Sequence, residues 1–151
     1  MRRTGWTGRL LVVCAGVAAA LLLGTPALAA ETVPVRVRVL EGSKKQPARF
    51  DPRLDDLKRQ LSPLAYVRWD EKSVRELTME RGKQEWVALP NGEQVGLTLV
   101  EVRKDAVTFE VALSQENTQS RLSVERGQRI VHQVTREKDG AALFLSATAW
   151  P

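Results

Sequence analysis

The sequence predicts a mainly β domain with minor α content: an antiparallel β-meander of about eight strands, curled into a sandwich or partly open barrel, with one amphipathic helix after the first strand. Three observations carry this prediction. Apolar and polar residues alternate in short segments along most of the chain, turn residues separate these segments, and leucines recur at helical spacing in one segment. Because short turns join neighbouring segments, we expect consecutive strands to pair as hairpins.

The first predicted strand covers residues 33–40. Four valines at alternate positions would lie on one face of this strand, and Arg36 and Arg38 on the other. Residues 41–49 are polar and include a glycine and a proline, which indicates a loop. The strand is therefore expected to be half-buried, with its valines against the core.

One segment carries the signals of an amphipathic helix. Asp51 can cap the free amides of a first helical turn, and Pro52 has the backbone geometry of the first helical position. The apolar residues at helical spacing are Leu54, Leu57 and Leu61. Pro63 discourages continuation of the helix beyond Ser62. We expect a helix of about three turns whose leucines cover one face of a sheet.

Short strands and turns are predicted to alternate from residue 64 to the C-terminus. The predicted strands are residues 64–69, 74–80, 84–89, 95–102, 107–113, 122–124, 130–135 and 141–149. Residues 90–93 are the strongest hairpin signal, and a phase change in the alternation predicts a bulge near Val100. Residues 130–135 are expected to pair back onto the strand that ends at Val124. Because the last strand carries no charge on either face, we expect it in the centre of a sheet.

Residues 1–29 have the pattern of a cleavable signal peptide. A basic N-terminus precedes an apolar run over residues 10–23, and small residues follow. The apolar run is shorter than the roughly 20 residues that a membrane-spanning helix needs. The residues that mark the cleavage site are Ala27, Ala29 and Ala30. We predict cleavage after Ala29, which leaves a single exported β domain over residues 30–151, periplasmic or secreted.

Charge and cysteine content limit the possible partners and site chemistries. Removal of residues 1–29 takes three of the 23 Lys and Arg and none of the 18 Asp and Glu, so the mature domain carries 20 basic and 18 acidic side chains. This balance gives no strong long-range field and removes the main compositional argument for nucleic-acid binding. The one cysteine, Cys14, lies in the predicted signal peptide, so we expect no disulfide in the mature domain.

The mature sequence contains no pattern typical of a catalytic, cofactor or metal site. His132 is the single histidine and is expected to be structural, because a zinc site needs further ligands. Glycosidases use paired carboxylates on opposite walls of a cleft. Asp55 and Asp56 instead lie near Lys58 and Arg59 at helical spacing, so local ion pairing explains them. We therefore predict that the protein is not an enzyme and binds no cofactor and no metal.

Trp69 and Trp86 are the candidate residues for a binding surface. Both fall in predicted strands, and an aromatic pair on an exported β domain can form a stacking platform for sugars. The alternative role for both rings is core filling. The burial of each ring distinguishes these two roles.

Three segments also resemble a known group of proteins. They are the first strand at residues 35–40, the proline-capped helix at residues 50–61 and the Leu-Pro-Asn-Gly hairpin at residues 89–92. Their order resembles that of a group of small exported bacterial envelope proteins with no assigned activity. The group has no known site residues, so the resemblance implies a fold and a compartment but no functional residue.

Together these observations predict a non-enzymatic envelope protein, an interaction or accessory module that binds another envelope or secreted protein through a sheet edge or face. Nucleic-acid binding and stable membrane insertion after cleavage are not expected. One alternative is a carrier of a small apolar ligand inside a curled β-sheet, which requires an internal cavity lined by rows of Val and Leu. A further alternative is a small outer-membrane barrel, but its strands would have to span roughly 9 to 11 residues each.

Overall fold

The computed structural model describes residues 29–114 and 117–151 of the chain. The strands are β1 (Thr32–Ser43), β2 (Arg49–Phe50), β3 (Arg68–Glu80), β4 (Gln84–Ala88), β5 (Gln94–Val102), β6 (Ala106–Leu113), β7 (Gln119–Glu125), β8 (Arg129–Gln133) and β9 (Ala141–Ala149). A 3-10 helix, Pro52–Leu57, continues directly into α1, Lys58–Leu61. With 60% of the described residues in strands and 8% in helices, the protein is mainly β, as the alternating pattern predicts. No helix within the described ranges has the length and apolar character needed to cross a bilayer.

The strands form two sheets that pack face to face. Sheet A has five strands in the order β2-β3-β1-β9-β8, and sheet B has four in the order β4-β5-β6-β7. Neighbouring strands are antiparallel except for β2 and β3, which run parallel over two residues. One hydrophobic cluster contains side chains from both sheets. This arrangement confirms the predicted antiparallel sandwich.

The main core lies between the two sheets. The alternate valines of β1 point into it, and so do Val95, Leu97 and Leu99 of β5, all with at most 1% of their surface exposed. The opposite faces of the same strands point away from the core because successive side chains of a strand alternate between its two faces. The outer faces of both sheets are therefore the surfaces on which a site can lie.

The outer face of sheet A is covered by the helical segment and has a second, smaller core. Leu54, Leu57 and Leu61 are fully buried there, against Trp69 of β3 and Phe144 of β9. The predicted amphipathic helix therefore covers a sheet face as expected. Its first six residues form a 3-10 helix, in which the amide of Leu54 donates to the carbonyl of Asp51 at 2.9 Å.

Several local predictions can be compared with the strands directly. The predicted gap between the strands at residues 64–69 and 74–80 is absent, and β3 is continuous over Arg68–Glu80. The acidic residues in that gap, Asp70 and Glu71, have arginine partners that satisfy their charge. A register shift between Leu99 and Glu101 confirms the bulge near Val100. The last strand, β9, lies between β1 and β8, so its central position is also confirmed.

The predicted pairing of residues 130–135 with the strand that ends at Val124 is wrong. Those two segments belong to different sheets: β7 pairs with β6, and β8 pairs with β9. The turn at residues 126–128 therefore carries the chain from sheet B to sheet A. The turn residues are compatible with a hairpin that returns to β7 and with a crossing to sheet A. The burial of both faces of β9 favours the crossing, which places β8 beside β9.

Candidate functional site

The predicted cleavage site lies at the boundary of the described structure. Ala27 is outside the described residues, as are residues 1–28 in general. Ala29 and Ala30 are exposed and precede β1. An exposed segment without strand pairing is accessible to a peptidase.

Trp69 lies on the outer face of sheet A, beneath the helical segment, and only 2% of its surface is exposed. Its ring centroid is 5.6 Å from that of Tyr66 and 5.0 Å from that of Phe144. These distances are typical of packed aromatic rings. Trp69 therefore fills the second core, and its ring is not accessible to a ligand.

Trp86 has the opposite environment. It lies on β4 and points to the outer face of sheet B, because its neighbour Val87 points into the main core. Its surface is 44% exposed. The side chains of Trp86 and Gln84 lean over Gly96 of β5, where an added Cβ would lie 3.1 Å from Cζ3 of the indole and 2.5 Å from Nε2 of the amide. The structure does not bring Trp69 and Trp86 together, so they form no aromatic pair.

The outer face of sheet B, unlike that of sheet A, is not covered by a helix formed by residues 29–114 or 117–151. We define the sheet B face as the outward-pointing residues of this sheet before the bulge in β5. The strand registers arrange them in three cross-strand rows, which are Ala88 and Gln94; Trp86, Gly96, Ala112 and Gln119; and Gln84, Thr98, Glu110 and Arg121. Small and amide-bearing side chains surround the single exposed ring.

A second exposed surface is the free edge of β3. On one side, β3 pairs with β1 along its whole length. On the other side, the described residues provide only β2, which pairs with Arg68 and Trp69. We define the β3 edge as residues 72–78 on that free side. Val74, in the centre of this stretch, is 46% exposed.

Arg38 is the centre of a charge network on the outer face of sheet A. Its Nε donates to Oε2 of Glu71 at 2.7 Å, its Nη1 donates to both carboxylate oxygens of Asp56 at 2.9 Å, and its Nη2 donates to the carbonyl of Arg53. Burial alone would lower the pKa of Arg38, but the hydrogen bonds to Asp56 and Glu71 raise it above its usual value. The network joins β1 and β3 to the helical segment, so its arginine is engaged by the fold itself.

Asp51 begins the helical segment and is almost completely buried. The guanidinium of Arg53 donates to Oδ2 of Asp51 at 2.7 Å, and the amide of Glu71 donates to the same oxygen at 3.1 Å. These hydrogen bonds, first that of Arg53, hold the pKa of Asp51 far below its usual range. An acid held so strongly in its ionised form is suited to capping a helix rather than to transferring protons near neutral pH.

A cavity of about 400 Å³ lies at one end of the sandwich, between the β4–β5 and β8–β9 hairpins. Its charged lining residues are Glu41, Glu93, Arg136 and Lys138. A carrier of an apolar ligand needs a predominantly hydrophobic lining. This cavity has a mixed polar lining, and the valine rows of the main core pack against each other instead of lining it.

A smaller cavity, of about 260 Å³, lies between the ends of β7 and β8. His132 lines it together with Ser120 and Thr135, and burial lowers the pKa of this histidine. In residues 29–114 and 117–151, no three His, Asp or Glu side chains are grouped in a way that could hold a metal ion.

Sequence reasoning identified Trp86 but missed the β3 edge and the Arg38 network. The signal for the edge was available: Arg75 and Glu76 place charges on both faces of the predicted strand, which is typical of an edge strand. The network has no local signal, because Arg38, Asp56 and Glu71 are far apart in the chain.

Comparison of the chain with protein-family models, with curated proteins and with solved structures gave no match.

Proposed function

We propose that this protein is a non-enzymatic accessory protein of the cell envelope, exported by its signal peptide, which docks another exported protein at the β3 edge. The mode of docking is strand addition, in which an extended segment of the partner pairs with the free side of β3. The observation that carries the proposal is the length of this free edge, residues 72–78, beside a two-residue β2.

A free strand edge presents unpaired N–H and C=O groups to an incoming chain. Proteins that recognise extended peptides use such edges, with main-chain hydrogen bonds for affinity and side-chain contacts for specificity. The β3 edge has both components. Residues 72–76 are exposed and their free side has no strand partner among the described residues, and Val74 offers an apolar contact on the outer face.

The charged side chains of the β3 edge are held by neighbouring strands. Nζ of Lys72 lies 3.3 Å from Glu41 of β1, and Glu76 forms an ion pair with Arg36 of β1. Nη1 of Arg75 donates to the carbonyl of Trp86 across to sheet B at 2.7 Å. Charged side chains commonly protect an edge by extending over it. Because these are drawn toward β1 and β4, they favour access to the β3 backbone.

The experiment that tests this proposal places a photo-crosslinking amino acid at position 74 of the full chain in cells. Position 67 is the matched control, because Val67 is also an exposed valine, at 40%, and lies outside the β3 edge. We expect a discrete crosslinked exported protein from position 74 and none from position 67.

The partner identified in this way is then purified and tested for its effect on backbone hydrogen exchange. We expect slower exchange at those amides of residues 72–78 that point to the free side of β3, because strand addition gives them hydrogen-bond acceptors, while the amides already bonded to β1 should change little. The variant Val74→Lys should weaken the complex, since a lysine at the centre of an edge opposes strand addition. Protection confined to the sheet B face or to the 400 Å³ cavity would reject docking at the β3 edge.

A further inference from the structure

The exposed ring of Trp86 is held in place by its contacts with sheet B. Its Cζ3 lies against the backbone of Gly96, the one position of the neighbouring strand where the absence of a Cβ leaves room for it. With 44% of the residue exposed, the other side of the side chain faces solvent. A ring that rests on a rigid strand and is open on one side can stack on a ligand with little loss of side-chain entropy.

The side chains next to this ring on the sheet B face are hydrogen-bonding but uncharged, and the guanidinium of Arg75 is bound to the backbone carbonyl of Trp86. Gln84 lies beside Trp86 on β4, and Gln119 lies at the far end of the row that begins with Trp86. Gly96 and Ala112, the members in between, are small, so the row is flat. Since neighbouring strands are about 4.8 Å apart, the four-strand row is roughly 14 Å long. The result is a flat strip that has an aromatic ring at one end and a glutamine amide at each end.

The charges of the sheet B face compensate each other. Glu110 and Arg121 are cross-strand neighbours, and Nε of Arg121 lies 3.6 Å from Oε2 of Glu110. Beyond the bulge, Nε of Arg103 lies 3.7 Å from Oε1 of Glu101, two residues earlier in the chain. The face therefore complements a ligand without net charge, unlike a surface that selects phosphate or acidic polymers by an excess of cations.

We propose that the sheet B face binds a neutral polysaccharide chain, with one sugar ring stacked on Trp86 and neighbouring hydroxyls hydrogen-bonded to the glutamine amides. Sugar rings have apolar C–H faces and polar hydroxyl edges, and this strip offers partners for both. The buried centre of a protein–protein interface is more apolar and richer in large side chains than a strip whose only large apolar group is Trp86. This site is separate from the β3 edge and does not depend on docking there.

The test uses protein purified after expression of the full chain, with the neutral hexasaccharides of cellulose and of chitin as probes and heparin as an anionic comparison. Binding is measured by calorimetry and by quenching of tryptophan fluorescence. We expect binding of at least one neutral hexasaccharide, about tenfold weaker or lost in Trp86→Ala, and partly retained in Trp86→Phe. Val74→Ala, at the β3 edge, is the matched control and should bind as the parent protein does.

A second variant keeps the test independent of the removal of the ring. Gly96→Ala places a methyl group 2.5 Å from Nε2 of Gln84 and 3.1 Å from Cζ3 of the indole, so the glutamine amide must move and the ring is pushed from its seat, while the chemistry of both side chains is unchanged. We expect weaker glycan binding with the urea midpoint of unfolding preserved. The proposal is overturned if neither hexasaccharide binds at millimolar concentration, if Trp86→Ala binds as tightly as the parent, or if heparin binds more tightly than both neutral probes. None of these outcomes affects the crosslinking result at position 74.

Discussion

Arg38 and Glu71 form an ion pair of 2.7 Å between β1 and β3, and both side chains are less than one-tenth exposed. Two residues earlier on β1, Arg36 pairs with Glu76 of β3 in the same cross-strand manner, but those side chains are 47% and 57% exposed. The helical segment covers only the first pair, through the contacts of Arg38 with Asp56 and Arg53. Both are arginine–glutamate ion pairs between β1 and β3, but one is buried and the other is exposed to solvent.

This difference predicts unequal effects on stability. Arg38→Met leaves the buried carboxylate of Glu71 with only a 3.7 Å ion pair to Arg53, whereas Asp56 keeps Arg129 at 2.8 Å. Because Glu71 is buried, we expect the free energy of unfolding to fall by about 3 to 5 kcal/mol. Arg36→Met should lower it by at most about 1 kcal/mol, because exposed ion pairs contribute little. Urea denaturation of both variants gives the comparison. Similar midpoints for the two would mean that burial of the Arg38 pair does not determine its contribution.

Asp51 predicts a specific dependence of stability on acid. Its pKa lies far below its usual range in the folded protein because of hydrogen bonds from Arg53 and from the amide of Glu71. When the pH falls below about 4, the unfolded chain therefore binds this proton first. The stabilisation by Asp51 should be fully present above that pH and be lost progressively as the pH falls toward the lower pKa of the folded state.

The variant Asp51→Asn isolates this contribution, because asparagine can still cap the helix through its side-chain oxygen. We expect lower stability than the parent at pH 7 and a shallower loss of stability between pH about 4 and about 2. The measurement is the urea midpoint across a pH series. Parallel curves for parent and variant would show that the Asp51 charge does not contribute to acid unfolding.

The strongly periodic elements were predictable from the sequence. The alternate valines of β1 and the leucine spacing of the helical segment each indicate a buried face, and both faces are buried. The absence of charge in the last strand likewise predicted its central position. These predictions succeed because the side-chain period of an element is a local property of the chain and marks which of its faces is apolar.

The pairing of strands across the two sheets was not predictable in the same way. Gly82 and Gly127 have φ values of 82° and 71°, as turn glycines do, yet both turns join strands of different sheets. A turn residue determines the local backbone but not the sheet that the next strand enters. Whether Trp69 and Trp86 are buried depends on the same long-range information, since the helical segment covers the outer face of sheet A, which carries Trp69, and not that of sheet B, which carries Trp86.

The proposed signal peptide provides a further prediction. We expect the mature protein to begin at Ala30, because small residues at positions 27 and 29 match the specificity of signal peptidases. Mass spectrometry of envelope-localised protein checks this. Ala29→Asp should prevent cleavage and leave residues 1–29 attached. Finding those residues intact on the envelope-localised parent protein would contradict the prediction.

The last prediction concerns the attachment of the helical segment to sheet A. Leu57 is fully buried there, in a cluster with Leu40 and Trp69, and no disulfide supports this region. Leu57→Ala removes apolar contacts and leaves a cavity that this packed cluster can only partly close. We expect the free energy of unfolding to fall by about 2 to 5 kcal/mol. This is a large share of the roughly 5 to 15 kcal/mol typical of a domain.

Arg59→Ala is the matched control for Leu57→Ala. Arg59 lies two residues further along the same helical segment but is exposed, so its removal should change stability by no more than about 0.5 kcal/mol. Urea denaturation of the two variants separates packing from helix propensity, because both replace a good helix former by alanine. Equal midpoints would mean that the leucines do not hold the segment on the sheet, and that polar contacts centred on the Arg38 network attach it. In that case Arg38→Met, and not Leu57→Ala, should expose Trp69 to a soluble fluorescence quencher.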